Sequence, residues 1–232
     1  TTSASLSNLT AGTTYYYRVC ATDKVGNTAR CTTGSFTAGS TSTAVALGST
    51  KSPSSAQNGY YKSAQLAVTY SSSNVTSPTY YVKTTMAGTG SVAVTQSCGT
   101  GTDPGTCSNI TSTTSYAANT WYKVSGNTTI SYSGTTGTAT AYARVNDGAI
   151  YSSSANGSVS IDADQPGTFT VSVGTKTTKT AALSYAPADS HSGLASVSCE
   201  YGTSTSYGTS CGTSTTSASL SNLTAGTTYY YR

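Results

Sequence analysis

The feature that most constrains this chain is a sequence of eighteen residues that occurs twice. Residues 1–18 (TTSASLSNLTAGTTYYYR) return letter for letter as residues 215–232. An offset of about 214 positions identifies an internal repeat. Because a self-contained domain has no need to end in a copy of its own beginning, we expect one period, with a short overlap, of a longer tandem array. The alternative is a separate subunit whose two ends complement each other between neighbouring molecules.

Each copy contains a leucine, a glycine and a tyrosine spaced three residues apart, which are Leu9, Gly12 and Tyr15 in the first copy and Leu223, Gly226 and Tyr229 in the second. This spacing resembles the E–F corner of fibronectin type III domains, where the tyrosine hydroxyl ties back to the upstream backbone. Alternating side chains at 15–21 then predict strand F, residues 23–27 a turn, and 28–38 strand G. The resemblance implies that residues 1–38 are the C-terminal half (strands E–G) of a type III-like domain.

Residues 165–232 resemble the N-terminal part (strands A–F) of the next such domain. We predict strand A at 168–173, B at 178–185 and C at 195–201, followed by a C–C′ hairpin, strand E and the repeated corner. The loop at 189–194 (DSHSGL) resembles the D-x-x-S-G-L loop of bacterial type III-like repeats. Joined to residues 19–38 of a following period, this part makes a module of about 90 residues, the size of that family.

Residues 39–164 show a different pattern, immunoglobulin-like but without a Cys…Trp…Cys core. Turn residues separate short strand-like segments, and no helical period is found. These segments are 44–47, 65–70, 79–85, 90–96, 121–124, 128–132, 138–145 and 158–161. Trp121 is the one tryptophan; a core position is expected, and a ligand-stacking role is the alternative. Residues 160–166 break this pattern, because Pro166 cannot continue a central strand. The module therefore ends here, in a segment that resembles the aspartate- and proline-containing linkers of tandem repeats in bacterial surface proteins.

The predicted fold class is therefore all-β, with tandem β-sandwiches in which immunoglobulin-like and fibronectin type III-like modules alternate. Charged residues make up only 8% of the chain and Ser plus Thr about 38%. Such a polar chain is a candidate for disorder, but its 19 tyrosines and alternating Val/Thr segments favour folded strands. Because large aliphatic side chains are scarce, each module has a small core that needs further support.

Six cysteines are the predicted support. They fall into three neighbouring pairs, Cys20 with Cys31, Cys98 with Cys107, and Cys199 with Cys211. The spacing does not fit a zinc site. Local disulfides are the favoured choice among 15 connectivities, and free buried thiols are the alternative. Paired cysteines in a β-rich chain indicate an oxidising compartment, so the expected location is extracellular or on the cell surface.

Charge and hydropathy argue against two classes of partner. The net charge of +4 is spread thinly, without the basic cluster that nucleic-acid binding requires. No apolar run of membrane-spanning length occurs, so we expect no membrane contact by this segment.

Catalytic chemistry is not expected. Residues 208–212 (GTSCG) match G-x-S-x-G, and His191 is the single histidine. However, a nucleophile elbow needs a strand–turn–helix, whereas Ser210 falls on a predicted disulfide-closed hairpin. The sequence therefore predicts no catalytic residue and no organic cofactor.

Calcium is the stronger site hypothesis. In a type III-like sandwich the linker, the B–C loop and the F–G loop meet at one pole, which gathers Asp162, Asp164 and Asp189 near the Asp23 of a following period. Carboxylate oxygens are the ligands that Ca²⁺ prefers. The alternative is that these aspartates only cap turns.

N-x-[ST] sequons mark possible glycosylation at Asn8, Asn74, Asn109, Asn127, Asn156 and Asn222, although about four of ten Asn would match by chance in so Ser/Thr-rich a chain. Tyr60-Tyr61 and Tyr80-Tyr81 suggest stacking on sugars, but one ring of each pair should face the core.

The predicted function is a non-enzymatic repeat unit of an extracellular filament or surface stalk. Its partners are neighbouring copies of the same repeat, joined covalently or by strand complementation. The alternative is an adhesin or glycan-binding module, or an accessory region of a secreted carbohydrate-active enzyme, with glycans or cell surfaces as partners. An exposed aromatic row would favour the alternative.

Overall fold

The computed structural model describes residues 3–148 and 151–232. These residues form strands and turns, and none of them is in a helix, so the predicted all-β class is confirmed. Accordingly, the part of the chain that the structure describes holds no helix able to cross a membrane. The strands fall into an N-terminal hairpin, a ten-stranded sheet and two C-terminal sheets of three strands each.

The N-terminal hairpin consists of β1 (Thr14–Ala21) and β2 (Arg30–Thr37). The two strands pair antiparallel, with Tyr15 opposite Phe36 and Cys20 opposite Cys31. They coincide with predicted strands F and G. Successive side chains point to opposite faces, so Tyr15, Tyr17 and Val19 share one face, and on it Tyr15 stacks on Phe36 at a ring distance of 6.0 Å.

The middle region forms one continuous sheet with strand order β3-β5-β10-β7-β9-β6-β11-β12-β4, and β8 pairs with β7. Every predicted segment overlaps an observed strand, while β4 and β8 were not predicted. The strands are β3 (Ser40–Ser52), β4 (Tyr60–Tyr61), β5 (Ser63–Ser73), β6 (Thr79–Thr84), β7 (Gly88–Ser97), β8 (Ser108–Tyr116), β9 (Trp121–Val124), β10 (Thr128–Ser133), β11 (Gly137–Asn146) and β12 (Ala155–Ile161).

This sheet folds back on itself so that its first strands face β11 and β12 across a core. The Thr43 hydroxyl donates to the Ala143 carbonyl at 3.3 Å. A Cβ on Gly157 would stand 2.9 Å from the Val45 side chain and 3.0 Å from its carbonyl oxygen, so only glycine permits the two strands to approach this closely. The closed core buries alternate residues of each strand, including Leu66, Val82, Ile130, Tyr132, Ala141 and Ile161.

Trp121 is in the core, as expected. Only 1% of its surface is exposed, and its indole N–H donates to the Gly101 carbonyl at 3.0 Å. The Lys83 ammonium lies 5.0 Å above the ring, which adds a cation–π contact. The buried ring has no free face for stacking on a ligand.

The C-terminal region is a sandwich of two small sheets. One has the order β13-β14-β17 and the other β16-β15-β18, so predicted strands A, B and E lie together and C′, C and F lie together. Its core cluster includes Leu183, Tyr185, Cys199 and Leu220. The strands are β13 (Val171–Lys176), β14 (Ala181–Tyr185), β15 (Cys199–Gly202), β16 (Thr209–Gly212), β17 (Ser217–Leu220) and β18 (Tyr230–Tyr231).

All six cysteines are paired as predicted, in the bonds Cys20–Cys31, Cys98–Cys107 and Cys199–Cys211. Each bond joins residues 9 to 12 positions apart. The first staples β1 to β2 and the third staples β15 to β16, so each of the two small parts of the chain carries a covalent cross-link.

Candidate functional site

The repeated segment forms the same corner in both of its copies. The Thr10 N–H donates to the Tyr15 hydroxyl at 2.8 Å, and the Thr224 N–H donates to the Tyr229 hydroxyl at 3.0 Å. In the first copy the hydrogen bond from Thr10 lowers the pKa of the Tyr15 hydroxyl. The corner is thus a local structure that the repeated sequence forms in two different surroundings.

Beyond the corner the two copies differ in what they contact. Leu220 is 2% exposed, whereas Leu6, its equivalent in the first copy, is 61% exposed. Tyr230 is 45% exposed and the equivalent Tyr16 is 84% exposed. Identical sequences have different burial because, among the described residues, only the second copy contributes a strand, β17, that pairs with β14, where Leu220 is opposite Ala181.

The repeated strand uses opposite edges in its two copies. In the first copy the Thr13 carbonyl accepts from the Ala38 N–H at 2.8 Å. Because the N–H and C=O groups of successive strand residues point to opposite sides, the backbone groups of Tyr15 and Tyr17 also point to β2. In the second copy Arg232, the equivalent of Arg18, exchanges two hydrogen bonds of 2.9 Å with Glu200 of β15. Arg18 stands between Tyr17 and Val19, so its backbone groups point away from β2. One strand of this sequence can therefore pair with β15 and β2 at once.

The joint between the middle sandwich and the C-terminal region is a second cluster of polar groups. The Asp162 carboxylate is buried and accepts from the Ser192 N–H at 3.0 Å and from the Asp164 N–H at 3.1 Å. The Asn58 side chain donates to the Ser192 carbonyl at 3.1 Å, and the Tyr60 ring meets the His191 ring edge to face at 5.2 Å. The loop before β15 is thus held against the end of the middle sandwich.

Hydrogen bonding sets the charge of this joint. Ser192, through its side chain first and its backbone N–H as well, lowers the pKa of Asp162, and the nearby His191 lowers it further. The His191 Nδ1 lies 4.0 Å from Asp162 Oδ1. Asp162 is therefore a carboxylate at neutral pH.

Of the three predicted calcium ligands near the linker, two lie together and the third caps its own turn. Asp162 and Asp164 lie together with His191, one ligand atom of each being within 4.8 Å of the others. Asp189 is in the same loop, but its Oδ1 accepts from the N–H groups of His191 at 3.0 Å and Gly193 at 2.8 Å, which is turn capping. His191 was not predicted as a neighbour of the aspartates, since a lone histidine carries no spacing signal.

Asp23 lies in the turn between β1 and β2. Its Oδ1 accepts from the N–H groups of Val25 at 3.1 Å and Asn27 at 2.9 Å, and its Oδ2 accepts from the Asn27 amide. These bonds lower the pKa of Asp23, with the contribution of Asn27 the largest. The predicted approach of Asp23 to Asp162 and Asp164 involves a following period and stays a prediction.

The residues of the G-x-S-x-G motif and His191 have separate partners. Ser210 is on β16, where its hydroxyl accepts from the Gly212 N–H at 3.2 Å. His191 Nδ1 is 3.2 Å from the Ser190 hydroxyl, in the loop that contacts Asp162. Neither contact is one in which a histidine activates Ser210.

The six sequon asparagines, Asn8, Asn74, Asn109, Asn127, Asn156 and Asn222, are all exposed. Among the paired tyrosines, Tyr81 is buried, and Tyr80 packs on Tyr70 at a ring distance of 4.9 Å. Tyr60 and Tyr61 are both half-buried. These two pairs therefore do not form an exposed aromatic row.

Comparison with known proteins identifies no family for this chain. No protein-family model matches this chain, and no curated protein matches it. Among solved structures, a crystal structure of several domains from titin matches 94% of this chain and 67% of its own chain, at 16% sequence identity and a TM-score of 0.35. At these values the match supports no conclusion about function.

Proposed function

We propose that this chain is a structural, non-enzymatic repeat unit of an extracellular filament or surface stalk. In this proposal each unit of about 214 residues contributes one middle sandwich and parts of two type III-like modules. The first module is completed by the preceding unit and the second by the following unit. Neighbouring copies of the same repeat are thus the main partners.

The observation that carries the proposal is the use of opposite edges by the repeated strand. Within residues 3–148 and 151–232, the second copy pairs with β15 without a counterpart of β2, and the first copy pairs with β2 without a counterpart of β15. Tyr17, Val19 and Phe36 lie on one face of a two-stranded hairpin, which cannot bury that face alone. If the repeated strand of the first copy is superposed on that of the second copy, the result is one sheet in the order β16-β15-F-β2, where F is the shared strand.

A covalent array is the simpler form of this assembly. In separate subunits the two copies of the repeated strand would compete for one place beside β15. In a continuous chain they are the same strand, and Arg232 is followed by a sequence like Val19 onward. The competing form is donation of a strand between subunits, as in donor-strand complementation.

The extracellular location rests on the three disulfides, since such bonds persist in oxidising compartments. We propose that the parent protein belongs with the secreted surface or fibre proteins of bacteria or archaea that carry tandem immunoglobulin-like and type III-like repeats. The adhesin or glycan-binding alternative is less favoured, because Tyr17, which is exposed on β1, shares a face with Val19 that module completion would cover, as its equivalent Tyr231 is packed against the C-terminal core cluster.

We further propose that the joint aspartates bind calcium and stiffen the linker. The proximity of Asp162, Asp164 and His191 favours a cation, and the carboxylates suit Ca²⁺. The imidazole is a ligand more typical of transition metals, so a matched titration with Zn²⁺ belongs in the test.

The proposal is tested by extending the chain. A copy of residues 19–38 added after Arg232 should complete strand F and supply strand G. We expect the urea midpoint of the C-terminal region to rise. The Tyr231 amide should gain protection from exchange, because the edge of β18 that faces away from β15 becomes paired. An extension of the same residues in scrambled order is the control, and equal effects of both extensions would refute module completion.

The mass of the natural polypeptide separates the covalent array from separate subunits. Under denaturing, reducing conditions we expect a species far larger than the 23.4 kDa of one chain. A species of about that mass would establish separate subunits.

A further inference from the structure

An open groove runs between the first copy of the repeat and the middle sandwich. Its volume is about 580 Å³. One wall is formed by Leu6, Leu9 and Ala11, and the opposite wall includes Val75 and Asp147. Leu6 faces this space while remaining 61% exposed, so the wall is apolar and incompletely covered.

The second copy of the repeat shows what covers this wall. The equivalents of its three residues are Leu220, Leu223 and Ala225, and they line a space that the turn of residues 176–180 also lines. The Leu223 N–H donates to the Lys179 carbonyl at 2.9 Å. Leu220 is 2% exposed there, which is the burial that Leu6 lacks.

The turn of residues 176–180 is closed by its own hydrogen bonds. The Thr177 N–H donates to the Thr180 carbonyl at 2.8 Å, and the Thr177 hydroxyl accepts from the Thr180 N–H at 2.9 Å. The turn carries two cations, Lys176 and Lys179, both exposed.

We propose that the groove receives the turn of residues 176–180 from the preceding copy of this chain. This inference rests on the proposed function, because module completion places that turn over Leu6 and Leu9. It goes further in assigning a second contact of the turn. The far wall of the groove belongs to the middle sandwich, so the seated turn lies next to Val75 and Asp147.

Charge complementarity supports the second contact. Lys176 and Lys179 would approach a wall whose acidic residue is Asp147. The turn would then link three elements: its own sheet, the next copy's corner and the next copy's middle sandwich. Together with the Asp162–Ser192 joint, this contact would restrain the module on both sides, so that the whole array is stiff.

The test uses a chain of two periods, residues 1–214 followed by 1–232, with only the second period isotope-labelled by protein ligation. The turn of the first period then faces a groove, and the turn of the second period has no following sandwich in that chain. The variant is Lys176→Glu with Lys179→Glu in the first period. The same pair of substitutions in the second period is the matched control.

We expect the labelled amides of Asn74, Val75 and Thr76 to differ in chemical shift from those of the single-period chain. The first-period variant should return these shifts to the single-period values, whereas the second-period control should leave them at the two-period values. When Asp147→Lys in the second period is combined with the first-period variant, the two-period values should return.

Two results would overturn the inference in distinguishable ways. If the second-period Leu9 amide is protected from exchange but the first-period variant behaves like its control, the module is completed and the groove is not the docking site. If the Leu9 amide exchanges as fast as in the single-period chain, module completion fails, and the proposed function fails with it.

Discussion

Leu220 and Leu6 occupy the same position of an identical sequence, yet Leu220 is 2% exposed and Leu6 is 61% exposed. The difference is the presence of β14, which lies beside the strand of Leu220, whereas no strand of the described part of the chain pairs beside Leu6. In the proposed assembly, the burial of this leucine reports whether the type III-like module is complete.

Replacement of each leucine by alanine should have unequal effects in the single chain. We expect Leu220→Ala to lower the free energy of unfolding of the C-terminal region by about 2–4 kcal/mol, since a buried leucine is lost. Leu6→Ala should cost less than about 0.5 kcal/mol, as for an exposed site. Urea denaturation of both variants measures this. In a two-period chain the second-period Leu6→Ala should become as costly as Leu220→Ala, and a persistently small effect would argue against module completion.

The Cys98–Cys107 bond should stabilise the middle sandwich, whose loop it closes. Replacing both cysteines by alanine removes a cross-link over 9 positions, and we expect a loss of about 2–3 kcal/mol from the greater entropy of the unfolded chain. Thermal unfolding measures the loss. Reductant should then have no further effect on this sandwich. Peptide mapping that finds free thiols, or bonds other than the three neighbouring ones, would contradict the prediction.

Acid should loosen the joint at Asp162. Hydrogen bonding by Ser192 holds its folded-state pKa below the ordinary 3.8, so ionisation stabilises the joint at pH values above about 4. That stability is lost as the pH falls through the lowered pKa. We expect the exchange rate of the Ser192 amide, corrected for its intrinsic pH dependence, to rise in that window. Asp162→Asn should abolish the pH dependence, and an unchanged profile in this variant would assign the effect to other groups.

Calcium should act on the linker and not on the sandwiches. Adding Ca²⁺ to the chelated protein should reduce interdomain flexibility in small-angle scattering and leave the unfolding of the middle sandwich unchanged. Asp164→Asn should abolish the response, whereas Asp103→Asn, an exposed aspartate paired with Arg144 at 2.7 Å, is the control. Identical scattering with and without chelator would refute the calcium site.

Alkali should destabilise the middle sandwich through Tyr132. Burial raises the pKa of this tyrosine from 10.0 to about 12. Its hydroxyl donates to the Thr84 hydroxyl at 2.8 Å, because the Thr84 hydroxyl itself donates to the Met86 carbonyl. The neutral form is favoured in the folded state, so stability is complete below pH 10 and declines as the pH rises toward the folded-state pKa. Urea midpoints across this range measure the decline. Tyr132→Phe should lose about 1 kcal/mol at neutral pH and show a smaller alkaline decline.

Much of the fold could be predicted because it depends on local patterns. The corner formed by Thr224 and Tyr229 needs only residues within one segment. The disulfide pairs follow from short sequence separations, and the alternating segments of the middle region coincide with strands. In contrast, β8 was not predicted, because its sequence (SNITSTTSY) is nearly all polar and pairs along an exposed edge, so no apolar alternation marks it.

The candidate site depended more on tertiary contacts. Aspartates at the linker could be named from the sequence, but whether a carboxylate faces a neighbour or caps its own turn depends on backbone geometry. Asp189 and Asp23 cap their own turns. His191 lies beside Asp162 because Asn58, just before β4, and Tyr60, at the start of β4, contact the loop that carries His191.

Composition, spacing and sequence identity are sufficient to predict the all-β class, the cross-links and the repeat. The two environments of the repeated sequence, in contrast, depend on tertiary packing. A strand has two edges and two faces, and its own sequence specifies which face is apolar but not which neighbours fill its edges. Strand β1 meets β2 and β18 meets β15 because the rest of the chain supplies a different neighbour at each end.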